Sequence, residues 1–251
     1  MEILVFGKGG RLRACKERLE GQLSDFRGEI TRIAVLPIPT TKDGKTVFGT
    51  DILLSDVLED IGHGTLAACY GIPDECAKKI EDRGGVIYDA LYDEKLLSEN
   101  AYLTALGAVA DILTSDKREP RDIALGIVGY GRIGREIAKT WFFLGGVPHI
   151  YTGRGEVCEE LRRAGMHSSI CDGTEDYTGL DILINTAPDG IVKSSSHGID
   201  GVRRIIDLAS GNYLEGIPRV EKMPSIPEKR YPESAGRLYA DSIINHLGGA
   251  K

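Results

Sequence analysis

The chain has 251 residues, of which 31 are Lys or Arg and 38 are Asp or Glu, giving a net charge of −7; with 41% hydrophobic and 27% charged residues it is neither disordered, collagen-like nor coiled coil. The length fits one large domain or two small ones. The acidic balance, without any long basic run, argues against nucleic acid as a partner, and the lack of an uninterrupted apolar stretch or a basic leader argues for a soluble, cytoplasmic protein without a membrane span.

Glu2–Phe6 is a short apolar run that ends in a glycine turn, and Arg11–Gln22 carries Leu12, Cys15 and Leu19 at helical spacing. A strand at Thr31–Pro37 leads into a loop holding Pro37, Pro39, Asp43 and Gly44. Helices at Asp51–Asp60 and Pro73–Arg83 then alternate with strands at Thr65–Tyr70 and Gly85–Ala90. From Glu94 to Leu113 apolar residues recur at helical spacing, which predicts a long helix able to join two domains. The charged, Pro-containing segment Ser115–Asp122 marks the boundary. Beyond it come a strand at Ile123–Val128, a helix at Gly134–Leu144, a strand at Pro148–Thr152, a helix at Val157–Ala164, and strands at Asp181–Asn185 and Arg204–Leu208. Gly211–Tyr231 reads as irregular chain with one short strand at Val220–Met223, and Glu233–Leu247 as an amphipathic helix. The fold class expected is α/β, with two doubly wound lobes joined by a long helix. Residues 1–95 with 233–251 form a flavodoxin-like substrate lobe, 96–119 the linker, and 120–232 a Rossmann nucleotide-binding domain.

The five cysteines, Cys15, Cys69, Cys76, Cys158 and Cys171, include no C-x-x-C pair and read as reduced, mostly buried thiols. His63, His149, His167, His197 and His246 show no spacing suited to a metal, and each reads as structural or solvated.

The most informative segment is Ile123–Gly134, where an apolar strand runs into Gly129-Tyr130-Gly131-Arg132-Ile133-Gly134 and on into a helix. Glycines there permit a sharp turn, let a pyrophosphate approach the backbone and let the helix pack close to the strand, while the helix terminus offers N–H groups to an anion. The next strand ends in Thr152-Gly153-Arg154, without the carboxylate that would hold an adenosine ribose; a hydroxyl and a guanidinium suit a 2′-phosphate, so NADP is expected over NAD. Asn185, Thr186, Ala187 and Pro188 turn at the end of a third strand, where they can contact ribose and nicotinamide. Asp207 and Ala209 end a fourth strand in the equivalent place, the small Ala209 leaving room for a ring. Ser234, before Ala235-Gly236, either caps the last helix or holds a substrate carboxylate.

The order of these segments resembles the family of the first, nicotinamide-dependent subunit of bacterial dipicolinate synthase. The resemblance rests on GYGRIG after a strand, DILINTAP, IIDLAS, the tail Pro224–Lys229 followed by Tyr231–Gly236, and Asn100–Gly107 in the linker helix. It implies an NADP-dependent oxidation of a dihydrodipicolinate-type ring to pyridine-2,6-dicarboxylate, for bacterial spores, with a flavoprotein-like second subunit. It also implies that Gly129, Gly131, Arg132, Ile133, Thr152, Arg154, Asn185, Thr186 and Pro188 hold the cofactor, and that Asn100, Thr104, Ser234, Ala235 and Gly236 line a dicarboxylate cleft. The chain departs from the family where Gly211-Asn212-Tyr213-Leu214 replaces Lys-Pro-Gly-Gly, where Thr104-Ala105-Leu106-Gly107 lacks an acid, and where Glu233 stands for Lys. Two other readings therefore stay open: another nicotinamide-dependent dehydrogenase, such as a 2-hydroxy acid dehydrogenase, and a non-enzymatic nucleotide-sensing protein. The apolar face of the linker helix also suggests a homo-oligomer.

Overall fold

A computed structural model describes residues 1–188, 190–211, 214 and 216–249. In chain order its first elements are β1 (Glu2–Val5), α1 (Gly10–Leu23), β2 (Arg32–Val35), α2 (Leu54–Glu59), β3 (Thr65–Cys69), α3 (Asp74–Asp82), β4 (Val86–Asp89) and α4 (Glu94–Ser115). There follow β5 (Leu125–Val128), α5 (Arg132–Phe143), β6 (His149–Thr152), α6 (Gly155–Arg163), β7 (His167–Ile170), β8 (Ile182–Asn185), β9 (Arg204–Asp207), β10 (Val220–Lys222), α7 (Ile226–Arg230) and α8 (Pro232–Gly249). The chain divides into two units, residues 1–100 with 227 onward, and residues 101–226. The first division lies within α4 and the second within the proline-containing tail, so residues 227–232, which the sequence assigns to the second lobe, belong to the first unit.

In the first unit four parallel strands lie in the order β1-β2-β3-β4. Their side chains alternate between two cores, as the two-residue period of a strand requires. Ile33, Val35, Leu66 and Ala68 pack with Leu12, Cys15 and Leu19 of α1 and Tyr239, Ala240 and Ile243 of α8. Ala34, Leu36, Ala67 and Cys69 face Leu54, Val57 and Leu58 of α2 and Cys76 and Ile80 of α3. Thus α1 lies on the face opposite α2 and α3. A flavodoxin-like lobe has the strand order 2-1-3-4-5, in which the chain leaves such a first helix for a strand outside the first one. Here Ser24–Thr31 is too polar to supply that strand, and the chain goes directly to β2. The observed lobe therefore lacks the outer strand of the flavodoxin order.

Helix α8 closes this unit. Gly236 faces α1 so closely that a Cβ would overlap the carbonyl oxygen of Arg11 and lie 2.6 Å from Ala14 Cβ. The Tyr88 hydroxyl donates to Asp93 at 2.8 Å and lies 2.6 Å from the Ser242 hydroxyl, tying β4 and the start of α4 to α8. Burial is the largest influence on the Tyr88 phenol and pushes its pKa up.

In the second unit six parallel strands lie in the order β10-β9-β8-β5-β6-β7. Numbered within the unit this is 6-5-4-1-2-3, the Rossmann arrangement with its switch point between β5 and β8. One face packs Ile127, Ile150, Ile184 and Ile206 against Ala105, Val109 and Ile112 of α4 and Ile137, Ala138 and Trp141 of α5. The other buries Val128, Tyr151, Leu183 and Ile205 under Tyr177, Val192, Ile199, Val202 and Leu214, which come from irregular connections and one turn of 3-10 helix. Strand β7, His-Ser-Ser-Ile at the sheet edge, and the short α7 are absent from the sequence expectation. Four of the five cysteines are buried, Cys171 is half-buried, and all five are free thiols. Among the described residues, no helix is long and apolar enough to cross a membrane.

A charged cluster joins the end of α4 to the start of β8. Arg118 donates to Asp116 and Asp181 at 3.0 Å each, and Arg203 donates to Asp116 at 3.0 Å and to Asp181 at 3.1 Å. The Arg118 hydrogen bond holds the Asp116 carboxyl well below the usual carboxylate range. A depressed folded-state pKa contributes stability that is complete above the unfolded value of about 4 and is lost as pH falls from there toward the folded value. Asp116→Asn should accordingly lower stability at neutral pH, and its deficit relative to wild type should shrink below about pH 4. Urea unfolding of both proteins across this range measures the effect; a deficit constant with pH would contradict it.

Candidate functional site

The carboxyl ends of β5, β6, β8 and β9 bring together most of the residues marked in the sequence. Val128 is in register with Asn185, and Asn185 with Asp207. The backbone then turns at Gly129, whose φ of 93° favours glycine. A Cβ at Gly129 would lie 2.6 Å from Thr186 Oγ1, and one at Gly134 would overlap the Gly129 carbonyl oxygen. The first and third glycines are thus required by close contact between strand and helix. Gly131 differs: a Cβ there would meet nothing within 4 Å, so the space above the turn is open.

Gly131 is the cap residue of α5, no side chain caps the helix, and its first turn contains no acid. Its amino terminus, with the partial positive charge of aligned peptide dipoles, is suited to an external anion. Tyr130 and Ile133 pack partly against the helix-covered core, and Arg135 lies over the Tyr130 ring at 5.4 Å. Arg132 is exposed in the first turn of α5. The helix begins at Arg132, two residues earlier than its apolar pattern indicates.

Arg154 follows β6 and donates from Nη2 to the Tyr130 carbonyl at 2.7 Å. Its backbone N–H donates to Thr152 Oγ1 at 3.3 Å, and Gly153 between them is exposed. Thr152 is buried, so its hydroxyl organises the turn, whereas the guanidinium is exposed beside the glycine loop.

The ends of β8 and β9 are built differently from their reading as direct cofactor contacts. Asn185 is fully buried and donates to Asp207 Oδ1 at 2.9 Å and to the Ala187 carbonyl at 3.2 Å. Asp207 Oδ1 also accepts from the Ala209 N–H at 3.2 Å, while its Oδ2 is buried without a hydrogen bond. Thr186 donates to the Val128 and Gly129 carbonyls at 2.9 and 3.2 Å. These polar groups therefore hold backbone in place, while the half-buried Ala209 and exposed Pro188 lie at the surface of this edge.

The residues expected to line a substrate cleft are distributed between the units. Thr104 is buried in α4 within the second unit. In the first unit, Asn100 Oδ1 accepts from Arg11 Nη2 at 3.2 Å. Ser234 is in the first turn of α8, not before it, because the helix starts at Pro232. Ala235 is buried and Gly236 abuts α1, so both serve helix packing. Asn212 and Tyr213, in the segment that departs from the family pattern, lie outside the described residues.

The glycine turn that ends the first strand is legible in the sequence, but no site role attaches there to it or to Arg11, which is buried.

No protein-family model matches the chain, and no curated protein matches it in sequence. Among solved structures it is similar to the first subunit of dipicolinate synthase from Bacillus halodurans, at 17% identity over 98% of this chain and 97% of that one, with a TM-score of 0.78. The corresponding protein from Bacillus subtilis gives 19% identity over 99% and 96%, with a TM-score of 0.77. A transhydrogenase from Sinorhizobium meliloti gives 17% over 99% and 93%, with a TM-score of 0.65. At these identities the likeness is one of fold, two parallel α/β sheets of the Rossmann-like kind.

The two kinds of glycine should separate experimentally. Gly134→Ala should cost about 1–3 kcal/mol by forcing α5 from β5, while Gly131→Ala, at negative φ in open space, should change stability by less than about 0.5 kcal/mol. Denaturant unfolding of the two variants tests this, and equal losses would refute the distinction.

Proposed function

We propose that this protein is an NADP-dependent oxidoreductase acting on a cyclic dicarboxylate, oxidising a dihydrodipicolinate-type ring to pyridine-2,6-dicarboxylate. The observation that carries the nucleotide reading is the open approach above Gly131 to a helix terminus that no side chain caps, at the switch point of a Rossmann sheet. The N–H groups of the first turn of α5 would hold the pyrophosphate. Arg154 would pair with the 2′-phosphate, exchanging one partner, the Tyr130 carbonyl, for a charged one. Ala209 and Pro188 would border the nicotinamide, on backbone fixed by Asn185, Asp207 and Thr186.

When bound, the nicotinamide supplies the acceptor for one hydride. Oxidation of a dihydropyridine also releases one proton, and aromatisation favours that direction. What the chain must provide is orientation of the ring, which can supply much of the rate enhancement without a strong base. The fold likeness to dipicolinate synthase and the shared motif order support this substrate class.

Titration with NADPH and NADH, followed by nicotinamide fluorescence, tests the cofactor. Wild type should prefer NADPH, and Arg154→Ala should lose roughly tenfold or more of that affinity, as expected for a charge-assisted pair worth about 1.5–3 kcal/mol. Gly131→Ala should weaken both nucleotides. Equal binding of NADPH and NADH would overturn the NADP assignment; binding of neither would overturn the oxidoreductase reading.

A further inference from the structure

The first unit contains a second strand–glycine–helix turn, and there the helix terminus is occupied. Glu228 of α7 places its carboxylate against the start of α1, where Oε1 accepts from the Arg11 backbone N–H at 3.4 Å. A Cβ at Gly9 would overlap this oxygen, so the glycine keeps a carboxylate-sized space. Oε2 lies 3.6 Å from Arg11 Nε, whose side chain is only 6% exposed. That Nε has no hydrogen-bond partner although it is buried.

A buried guanidinium requires an anion, because burial penalises the charge more than it does most groups. Burial is the main influence on Arg11 and lowers its pKa, with the Glu228 carboxylate acting in opposition. Yet both contacts with Glu228 are long: charge-assisted N–H···O bonds are ordinarily about 2.7–2.9 Å. The carboxylate neutralises the site electrostatically and leaves Nε unsatisfied. A carboxylate free of a tether could satisfy the backbone N–H and Nε together, and Arg is the side chain whose planar fork suits such binding.

We propose that Arg11 and the amino end of α1 form a carboxylate-binding site which Glu228 occupies from within the chain, and that a ligand carboxylate displaces it. Asn100 is a positioning residue, holding the guanidinium through Nη2 at 3.2 Å. The ligand class, an aromatic or cyclic dicarboxylate, rests on the proposed function; the anion site itself does not depend on it. Glu228 then sets the threshold for binding, since any ligand must compete with a carboxylate already present at high effective concentration.

The test is calorimetric titration of the whole chain, without nucleotide, with pyridine-2,6-dicarboxylate and its neutral diamide. Glu228→Ala should bind the dicarboxylate about tenfold or more tightly than wild type, by removal of the internal competitor. The diamide should bind neither protein measurably. Adding Arg11→Lys to Glu228→Ala should remove the gain, since an ammonium cannot reproduce the forked geometry. Should the double variant fail to fold, thermal unfolding decides: the dicarboxylate should raise the Tm of Glu228→Ala more than that of wild type. An affinity in Glu228→Ala no tighter than wild type, a gain that survives Arg11→Lys, or equal binding of the diamide would each overturn the proposal. Because no turnover or nucleotide is involved, failure here leaves the cofactor titration unaffected, and failure there leaves this site standing.

Discussion

The second unit depends on how closely α5 can approach the end of β5. A parallel sheet delivers its strand ends to one edge, and the helix after the first strand must reverse direction within a few residues. Without side chains at Gly129 and Gly134, the helix meets the strand at the Gly129 carbonyl. The same carbonyl, with that of Val128, receives the Thr186 hydroxyl, so the end of β8 is fastened to the turn that starts α5. Asn185 and Asp207 extend the fastening to β9. Neighbouring strand ends are thereby fastened into one edge, and the residues that build it are mostly buried, leaving small or exposed residues at its surface.

The two glycine turns share a strand–glycine–helix plan but differ in backbone, Gly9 having a φ of 127° and Gly131 one of −82°, and in electrostatic state. At α5 the helix terminus has neither cap nor acid and faces open space. At α1 the terminus also lacks its own cap, but a carboxylate from a distant part of the chain fills it, beside a buried arginine. The difference in electrostatic state does not arise in the turns themselves. It arises from α7, the five-residue helix on which Glu228 lies.

Much of the fold was legible because its central strands, such as β3, β5 and β8, are short apolar runs buried throughout and several of its helices carry one apolar stripe. What escaped detection lacked such a pattern. Strand β7 contributes His167, Ser168 and Ser169, whose polarity suits an edge, and α7 begins with Ile-Pro, which reads as loop. The glycine fingerprint identified the turn but could not distinguish glycines that are packed from the one that is open, since this depends on the distant Thr186 and Ala187. Asn185, Thr186 and Asp207 were recognised as important by their place at strand ends. Their hydrogen bonds turn inward, which only the neighbouring strand could reveal. Ser234, Ala235 and Gly236 drew attention through the motif, yet the small residues there answer to α1. Arg11 was hidden for the converse reason: a charged residue in an amphipathic helix reads as solvated until the chain 217 residues away covers it.

The return of α8 to the first unit has a consequence for the order in which the molecule is made. Residues Tyr239, Ala240 and Ile243 complete a core whose other members, from β1 to the start of α4, precede the second unit in the chain. The second unit is continuous from 101 to 226 and has all its strands once that segment has emerged. Domains generally fold as units during synthesis. Here the first unit must wait, with the α1 face of its sheet only partly covered, until α8 has emerged, and the second unit is the first able to close.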